Sequence, residues 1–287
     1  MPRGGRRGVN VAAPAPAPDA GPAEAFWRDP ALPFAESRRA CRSRACYRPH
    51  LHPTFSIGAV DGGRSVFTGA EGGPVPLRAG MLVFVPAGRV HACNPAPGSA
   101  WSYQMLHLDA AWLQAVRSEA AATVPENGPV RIVDDPACHA RFAHLNALLF
   151  SPAAPQDKEA ALIEFIGDSD AVHGLRIPAP AAGPGLQERL RPAMERLRDA
   201  PADSAPLDEL ARLAAMGRYQ LIRAFKAATG MTPHAWQMNL RINCARARLQ
   251  DGDSLADVAH GLGFADQAHF QRMFKAHAGV TPGRFRA

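Results

Sequence analysis

The 287-residue chain carries 32 Lys and Arg against 26 Asp and Glu, an apolar fraction of 47% and 27 prolines. That length exceeds one ordinary core and predicts two domains. Five cysteines, odd in number and mostly far apart, exclude a dense disulfide framework and fit a reducing cytoplasm, and the lack of an eighteen-residue apolar run or a signal-like apolar core excludes obvious membrane targeting.

Residues 1–25, with the Ala-Pro tract at 13–18, read as a disordered tail. Short β-like runs follow within residues 26–112, at 55–60, 65–68, 81–85 and 101–108, separated by Gly and Pro. They predict a small antiparallel barrel or sandwich. Helical spacing takes over at 111–122, 138–150 and 157–166, where Phe142, Leu145, Leu148 and Leu149 recur on one side. Residues 113–170 are thus a helical region that either covers the barrel or pairs two subunits, and Asp134 and Asp135 mark a helix start rather than acid/base machinery. The Pro-rich segment within 171–185 reads as a linker. The helical domain at 186–287 holds 15 Lys and Arg against 10 Asp and Glu, and Arg3, Arg6 and Arg7 add to the excess at the other end. Basic ends of this kind suit a polyanionic partner such as nucleic acid.

The strongest internal signal is a repeat: FKAATGMTP at 225–233 lies over FKAHAGVTP at 274–282, offset by 49, while Leu207 and Ala211 match Leu255 and Ala259 at 48. Two copies of one helix-turn-helix unit follow, the second with one extra residue in its turn. In the second helix of each copy, Leu221, Phe225 and Ala228, then Phe270, Phe274 and His277, share an inward face. The outward faces present Arg218, Tyr219, Arg223 and Lys226, then Gln267, His269, Gln271, Arg272 and Lys275, side chains suited to base edges and phosphates of double-stranded DNA. Thr232-Pro233 and Thr281-Pro282 each cap and start a further helix. The helix after Pro233 runs to Gln250, a spacer of roughly 25 Å that can place two reading helices in successive major grooves.

The stretch SLADVAHGLGFADQAHFQRMFKAHAGVTPGRFR, at 254–286, resembles the signature of the AraC/XylS-type bacterial transcription regulators. Ile222 departs from it, standing where a polar base-reading side chain is expected. The resemblance implies an α+β fold, with an N-terminal cupin-like antiparallel barrel plus helices and a C-terminal all-α domain of two helix-turn-helix units. It also implies a non-enzymatic cytoplasmic regulator of promoter DNA, working as a homodimer and touching RNA polymerase if it activates.

Gly80-x5-Pro86-x-Gly88-x2-His91-x2-Asn94, preceded by His50-x-His52, resembles the two cupin half-motifs, without the glutamate of the first. The run WSYQMLHLDAAW at 101–112 resembles a subgroup that senses small molecules in this barrel. Tyr47, His50, His52, His91, Trp101 and Tyr103 are the candidate effector-binding residues, an amino acid or similar metabolite being the implied effector class. Three readings of the histidines stay open: hydrogen-bonding to an effector, satisfaction within the barrel mouth, or ligation of zinc or another divalent ion by His50, His52 and His91. Cys46 and Cys93 lie near that set, and Cys41 with Cys46 is a candidate redox pair. No phosphate-binding glycine loop, dinucleotide fingerprint or nucleophile elbow occurs. The rivals to an effector-controlled regulator are a metal- or redox-responsive one, and a cupin metalloenzyme fused to a DNA-binding domain.

Overall fold

A computed structural model describes residues 23–69, 73–119, 128–179 and 183–286. The N-terminal domain is built on a nine-stranded antiparallel sheet: β1 (Ala23–Arg28), β2 (Ala35–Ser43), β3 (Phe55–Thr68), β4 (Val75–Arg78), β5 (Met81–Val85), β6 (Ala92–Pro95), β7 (Trp101–Leu108), β8 (Val130–Asp134) and β9 (Leu175–Ile177). The two short runs expected at 55–60 and 65–68 are one strand, β3. It bends at a register shift between Val60 and Gly62, pairing β5 and β7 with its first part and β4 and β6 with its last. The main path runs β1-β2-β7-β3-β5-β8-β9 and is open. The sheet therefore curls like a jelly roll without the hydrogen-bonded closure that "barrel" implies.

Three boundaries differ from the sequence reading. Residues 1–22 of the expected tail lie outside the described residues, while Ala23, Glu24 and Ala25 pair with β2. The sheet does not stop at Trp112, because β8 and β9, within the stretches read as helical region and linker, continue it through β5. Residues 180–182 of the linker are outside the description, and α4 (Pro184–Asp199) starts inside its expected end.

Alternation along the strands builds two cores. Leu82, Phe84, Leu106 and Leu108 face outward, where α1 (Ala110–Glu119), α2 (Pro136–Leu149) and α3 (Pro155–Asp170) cover them with Leu113, Phe142, Leu145, Leu149, Leu162, Phe165 and Ile166. Each such side chain removed from water contributes about 1.5–3 kcal/mol. Their neighbours Val83, Val85, Trp101 and Tyr103 face the interior with Val60, Phe67, Leu77 and Ile132. The apolar side of α2 and α3 thus covers the sheet of its own chain. Asp135 caps α2 by accepting from the Cys138 backbone N–H at 2.8 Å, as its position before a proline leads one to expect. Arg117 holds Asp170 through two bonds of 2.8 Å, tying α1 to α3.

The C-terminal domain continues from α4 with α5 (Leu207–Leu213), α6 (Arg218–Thr229), α7 (Pro233–Gln250), α8 (Leu255–Gly261), α9 (Gln267–Ala278) and α10 (Pro282–Arg286). Helices α5 and α6 form the first helix-turn-helix, α8 and α9 the second. Helix α7 serves both cores, giving Trp236 to the first and Ile242, Ala245 and Leu249 to the second. The turns differ by one residue: α6 begins three residues after Ala215, α9 four after Gly263. Both Ala215 and Gly263 have left-handed backbone, with φ of 48° and 69°. Gly217 caps α6, and an alanine carries the turn at the cost of its Cβ.

Candidate effector cavity and DNA-facing helices

Strand β7 sends Trp101, Tyr103, Met105 and His107 to one side by its two-residue period. Across from them stand Arg38 of β2, Cys93 of β6, and Tyr47, His50, His52 and His91 from the segments around the strands, enclosing a cavity of about 50 Å³. All six residues expected to touch an effector line this one space. Arg246 of α7 and His277 of α9 close it from the DNA-binding domain. A second, apolar space of about 20 Å³ lies deeper in the sheet and shares His91, Cys93, Trp101, Tyr103 and Met105 with the first.

The backbone explains the convergence. His50 and His91 form an isolated antiparallel bridge, each N–H reaching the other's carbonyl, at 3.0 and 2.9 Å. Asn94, singled out by the half-motif, is a strut: its side chain accepts from the Tyr47 N–H at 2.6 Å and donates to the Tyr47 carbonyl at 3.1 Å. That fixes Tyr47, whose hydroxyl meets the Tyr103 hydroxyl at 2.6 Å.

Burial sets the charge state. It holds His50 and His52 well below the usual imidazole range, and lowers His91 and His107 to about 4, leaving all four neutral at pH 7. Burial also pushes the Cys93 thiol up to about 12. The fixed positive charges are Arg38, which donates to Glu24 at 2.6 Å, and Arg246, which donates to His52 Nδ1 at 3.0 Å. Arg38 Nε, Arg246 Nε and the Trp101 indole N–H are buried without an acceptor among the described residues. Unmet donors at one cavity are costly, and an acceptor-rich occupant satisfies them.

The cavity's far wall is also the domain contact. Arg38 donates to the Ala278 carbonyl at 2.8 Å, and the Arg48 N–H to the Ala276 carbonyl at 3.0 Å, so β2 and its neighbour grip the C-terminal end of α9. Gly279 caps that helix with φ 76°, and a Cβ there would lie 2.5 Å from the Tyr47 hydroxyl. Asn239 and Asn243 of α7 bind the Leu51 backbone at 3.1–3.2 Å, and Leu51 itself is buried in the core of the first unit.

The opposite surfaces carry the candidate DNA readers. Arg218, Tyr219, Arg223 and Lys226 on α6 are exposed, as are Gln267, Arg272 and Lys275 on α9, whereas His269 and Gln271 are half-buried. His269 packs edge-on against Phe264 at 5.7 Å, which commits part of its ring to the fold. Tyr219 is 71% exposed, an unusual placing for a large ring, and Arg223 lies against it with its guanidinium 5.7 Å from the ring centre. Ile222 is half-buried.

Sequence reasoning missed Arg38, Met105, His107, Arg246 and His277. The alternation 101, 103, 105, 107 along β7 was the signal for Met105 and His107. Arg246 and His277 belong to the other domain and had none.

The family described as an AraC-like ligand binding domain matches residues 38–166, and a helix-turn-helix domain family matches 210–287, together more than two thirds of the chain. This chain belongs to the AraC-type family of regulators. Among relatives, the HTH-type transcriptional regulator MtrA of Neisseria gonorrhoeae is 34% identical over 100 residues, which span 34% of this chain and 33% of MtrA. The regulator YbfI of Bacillus subtilis is 22% identical over 233 residues, 77% of this chain and 80% of YbfI. The fold is shared with ToxT of Vibrio cholerae strain SCE256 in its unsaturated-fatty-acid-bound form, with a TM-score of 0.55 at 11% identity over 92% of this chain and 94% of ToxT. The ligand-binding match contains every cavity residue except Arg246 and His277, which lie in the helix-turn-helix match.

Proposed function

We propose that this AraC-type regulator binds promoter DNA through α6 and α9, under control of a small effector held in the cavity between the sheet and the C-terminal domain. One observation carries the reading: the cavity is lined by both domains, through Arg246 on the spacer helix and His277 on the second reading helix. An occupant that touches them has different contacts in the closed and the separated arrangement, and only such differential contact lets a ligand shift an equilibrium.

The chemistry of the wall favours an effector bearing an acidic or otherwise acceptor-rich group. Arg38, Arg246 and Trp101 supply buried donors that lack acceptors, and the apolar space below takes a short hydrocarbon portion. An amino acid or similar compact metabolite fits that polarity. ToxT, whose fold is shared, binds an unsaturated fatty acid, a longer molecule of the same acid-plus-apolar design. Arg218, Tyr219, Arg223 and Lys226 serve the first half of the site on DNA, and Gln267, His269, Gln271, Arg272 and Lys275 the second, with α7 spacing the two helices by successive grooves. A dimer formed through the solvent-facing side of α2 and α3 presents four reading helices to a two-part operator, and RNA polymerase is a further partner if the protein activates. The setting is the cytoplasm. No helix among the described residues is long and apolar enough to cross a membrane.

The test is selection of the full chain on a library of its own upstream genomic DNA at one fixed salt concentration, with and without a metabolite panel. Selective binding altered by a compound is the expected result; no selective binding under any condition overturns the reading. On the selected sequence, Arg272→Ala is expected to cost about 1–3 kcal/mol and to relax preference at one position, whereas loss of a phosphate contact weakens all sequences alike.

A further inference from the structure

A groove of about 550 Å³ lies between the sheet domain and the first helix-turn-helix unit, and among their lining residues it shares only His91 with the polar cavity of about 50 Å³. The groove's volume falls in the range of sites for small organic molecules. The sheet domain lines it with Arg89 and Val90, from the segment between β5 and β6. The helical side brings Met194 and Arg198 of α4, Thr229 at the end of α6 and Trp236 in the first turn of α7.

The described lining holds two arginines and no carboxylate. Arg89 is buried and donates to the Pro178 carbonyl at 2.6 Å, which fixes the segment after β9 beside the groove. Arg198 is exposed, makes no ion pair among the described residues, and holds its guanidinium 5.8 Å from the centre of the Trp236 ring. Two helix ends also meet there, the C-terminal end of α6 at Gly230 and the first turn of α7 at Trp236. Their dipoles oppose each other, so the arginines set the sign of the charge.

Trp236 is 6% exposed, and its indole N–H is buried without an acceptor among the described residues. The repeat shows that packing does not require this N–H. At the offset of 49, Trp236 corresponds to Phe285, which is equally buried in the core of the second unit. A plain ring fills the position there, whereas the first unit keeps a donor that is costly to leave unmet.

We propose that this groove is a second ligand site, separate from the polar cavity, for an organic anion with a flat apolar body. The Arg198 guanidinium and the Trp236 indole N–H receive its carboxylate or phosphate oxygens, and Val90 and Met194 pack against the apolar part. The walls come from the sheet domain and the first unit, so the occupant ties α4 and α6 to the sheet. The inference does not require the effector reading.

The test titrates the ¹⁵N-labelled full chain with 1-naphthyl phosphate and with 1-naphthoate, taking uncharged 1-naphthol as the comparison. The chain has four tryptophans, and the signals of Trp236 and Trp101 are assigned by their loss in Trp236→Phe and Trp101→Phe. Saturable binding of one anion per chain is expected, with the Trp236 indole signal shifting, the Trp101 signal fixed, and 1-naphthol bound at least about tenfold more weakly. By probe fluorescence, Arg198→Met is expected to weaken anion binding about tenfold and Trp236→Phe about fivefold. Arg198 is a surface residue, so its variant stands as the test if circular dichroism shows Trp236→Phe to be misfolded. A shift at Trp101 with Trp236 unmoved, equal binding of 1-naphthol, or unchanged affinity in Arg198→Met each overturns the proposal, as does no binding of either anion. None of these results bears on selective DNA binding, which the separate selection reads.

Discussion

The two helix-turn-helix units share one repeat and are joined to the sheet domain by contacts of different balance. The first unit takes an apolar plug: Leu51 enters its core, and Val90 approaches Gly230 at the end of α6. The second is held largely by charge and backbone polarity, with Arg38 on the Ala278 carbonyl, Arg28 on the Phe285 carbonyl at 2.9 Å, and Arg246 on His52, beside the edge-on packing of Phe26 of β1 against Phe285. An apolar plug is insensitive to what enters a polar cavity. Arg38 and Arg246, by contrast, line the cavity and hold the second unit at the same time. If an occupant of the cavity controls DNA binding as proposed, the contrast places its first effect on α9 and the latter half of α7, with the first unit as the anchor.

The largest expected effect comes from the polar side. Arg38→Met leaves Glu24, whose side chain is 12% exposed, without its closest partner and the end of α9 without its donor. Breaking a buried pair in this way is expected to cost about 3–5 kcal/mol, read as a lower urea midpoint with faster hydrogen exchange at the end of α9. Leu51→Ala is expected to cost about 2–3 kcal/mol, with the faster exchange in α4 to α6 instead. If both variants loosen the same helices, the contrast between the units fails.

Smaller effects sharpen the comparison within the units. Ala215→Gly relieves the left-handed turn that Gly263 fills without penalty in the second unit, and is expected to stabilise by about 0.5–1 kcal/mol in thermal or urea melts. The smallest lies away from both contacts. His139 is held above the usual imidazole range by its hydrogen bond to Asp61. Its contribution is therefore fully present below about pH 6.5 and is lost as pH rises through its folded value. His139→Gln should remove that alkaline loss, measured as the pH dependence of the urea midpoint, without changing either domain contact.

Much of this was legible in the sequence, for physical reasons that also mark where legibility ends. The repeat at 225–233 and 274–282 exposed both units, because identical cores demand identical apolar spacing, and Thr232 and Asp135 announced their helices through capping chemistry. The strands at 81–85 and 101–108 fell where the apolar runs placed them. Strands β8 and β9 were hidden, since five- and three-residue strands between helices carry too few residues to show a period. The six residues expected to touch an effector line one cavity, a convergence legible because motif spacing and strand neighbourhood keep them local. Arg246 and His277 are brought in by docking between the domains, Arg246 meeting a histidine 194 residues earlier in the chain, and no local pattern encodes that.

The most direct test of the central claim, that the cavity acts on the second unit, is a comparison of Arg223→Ala with Arg272→Ala on the selected operator, with and without the compound that alters binding. The cost of Arg272→Ala is expected to change by about 1 kcal/mol or more when the compound is present, while the cost of Arg223→Ala stays the same. Equal changes at both arginines, or no change at either, would contradict it.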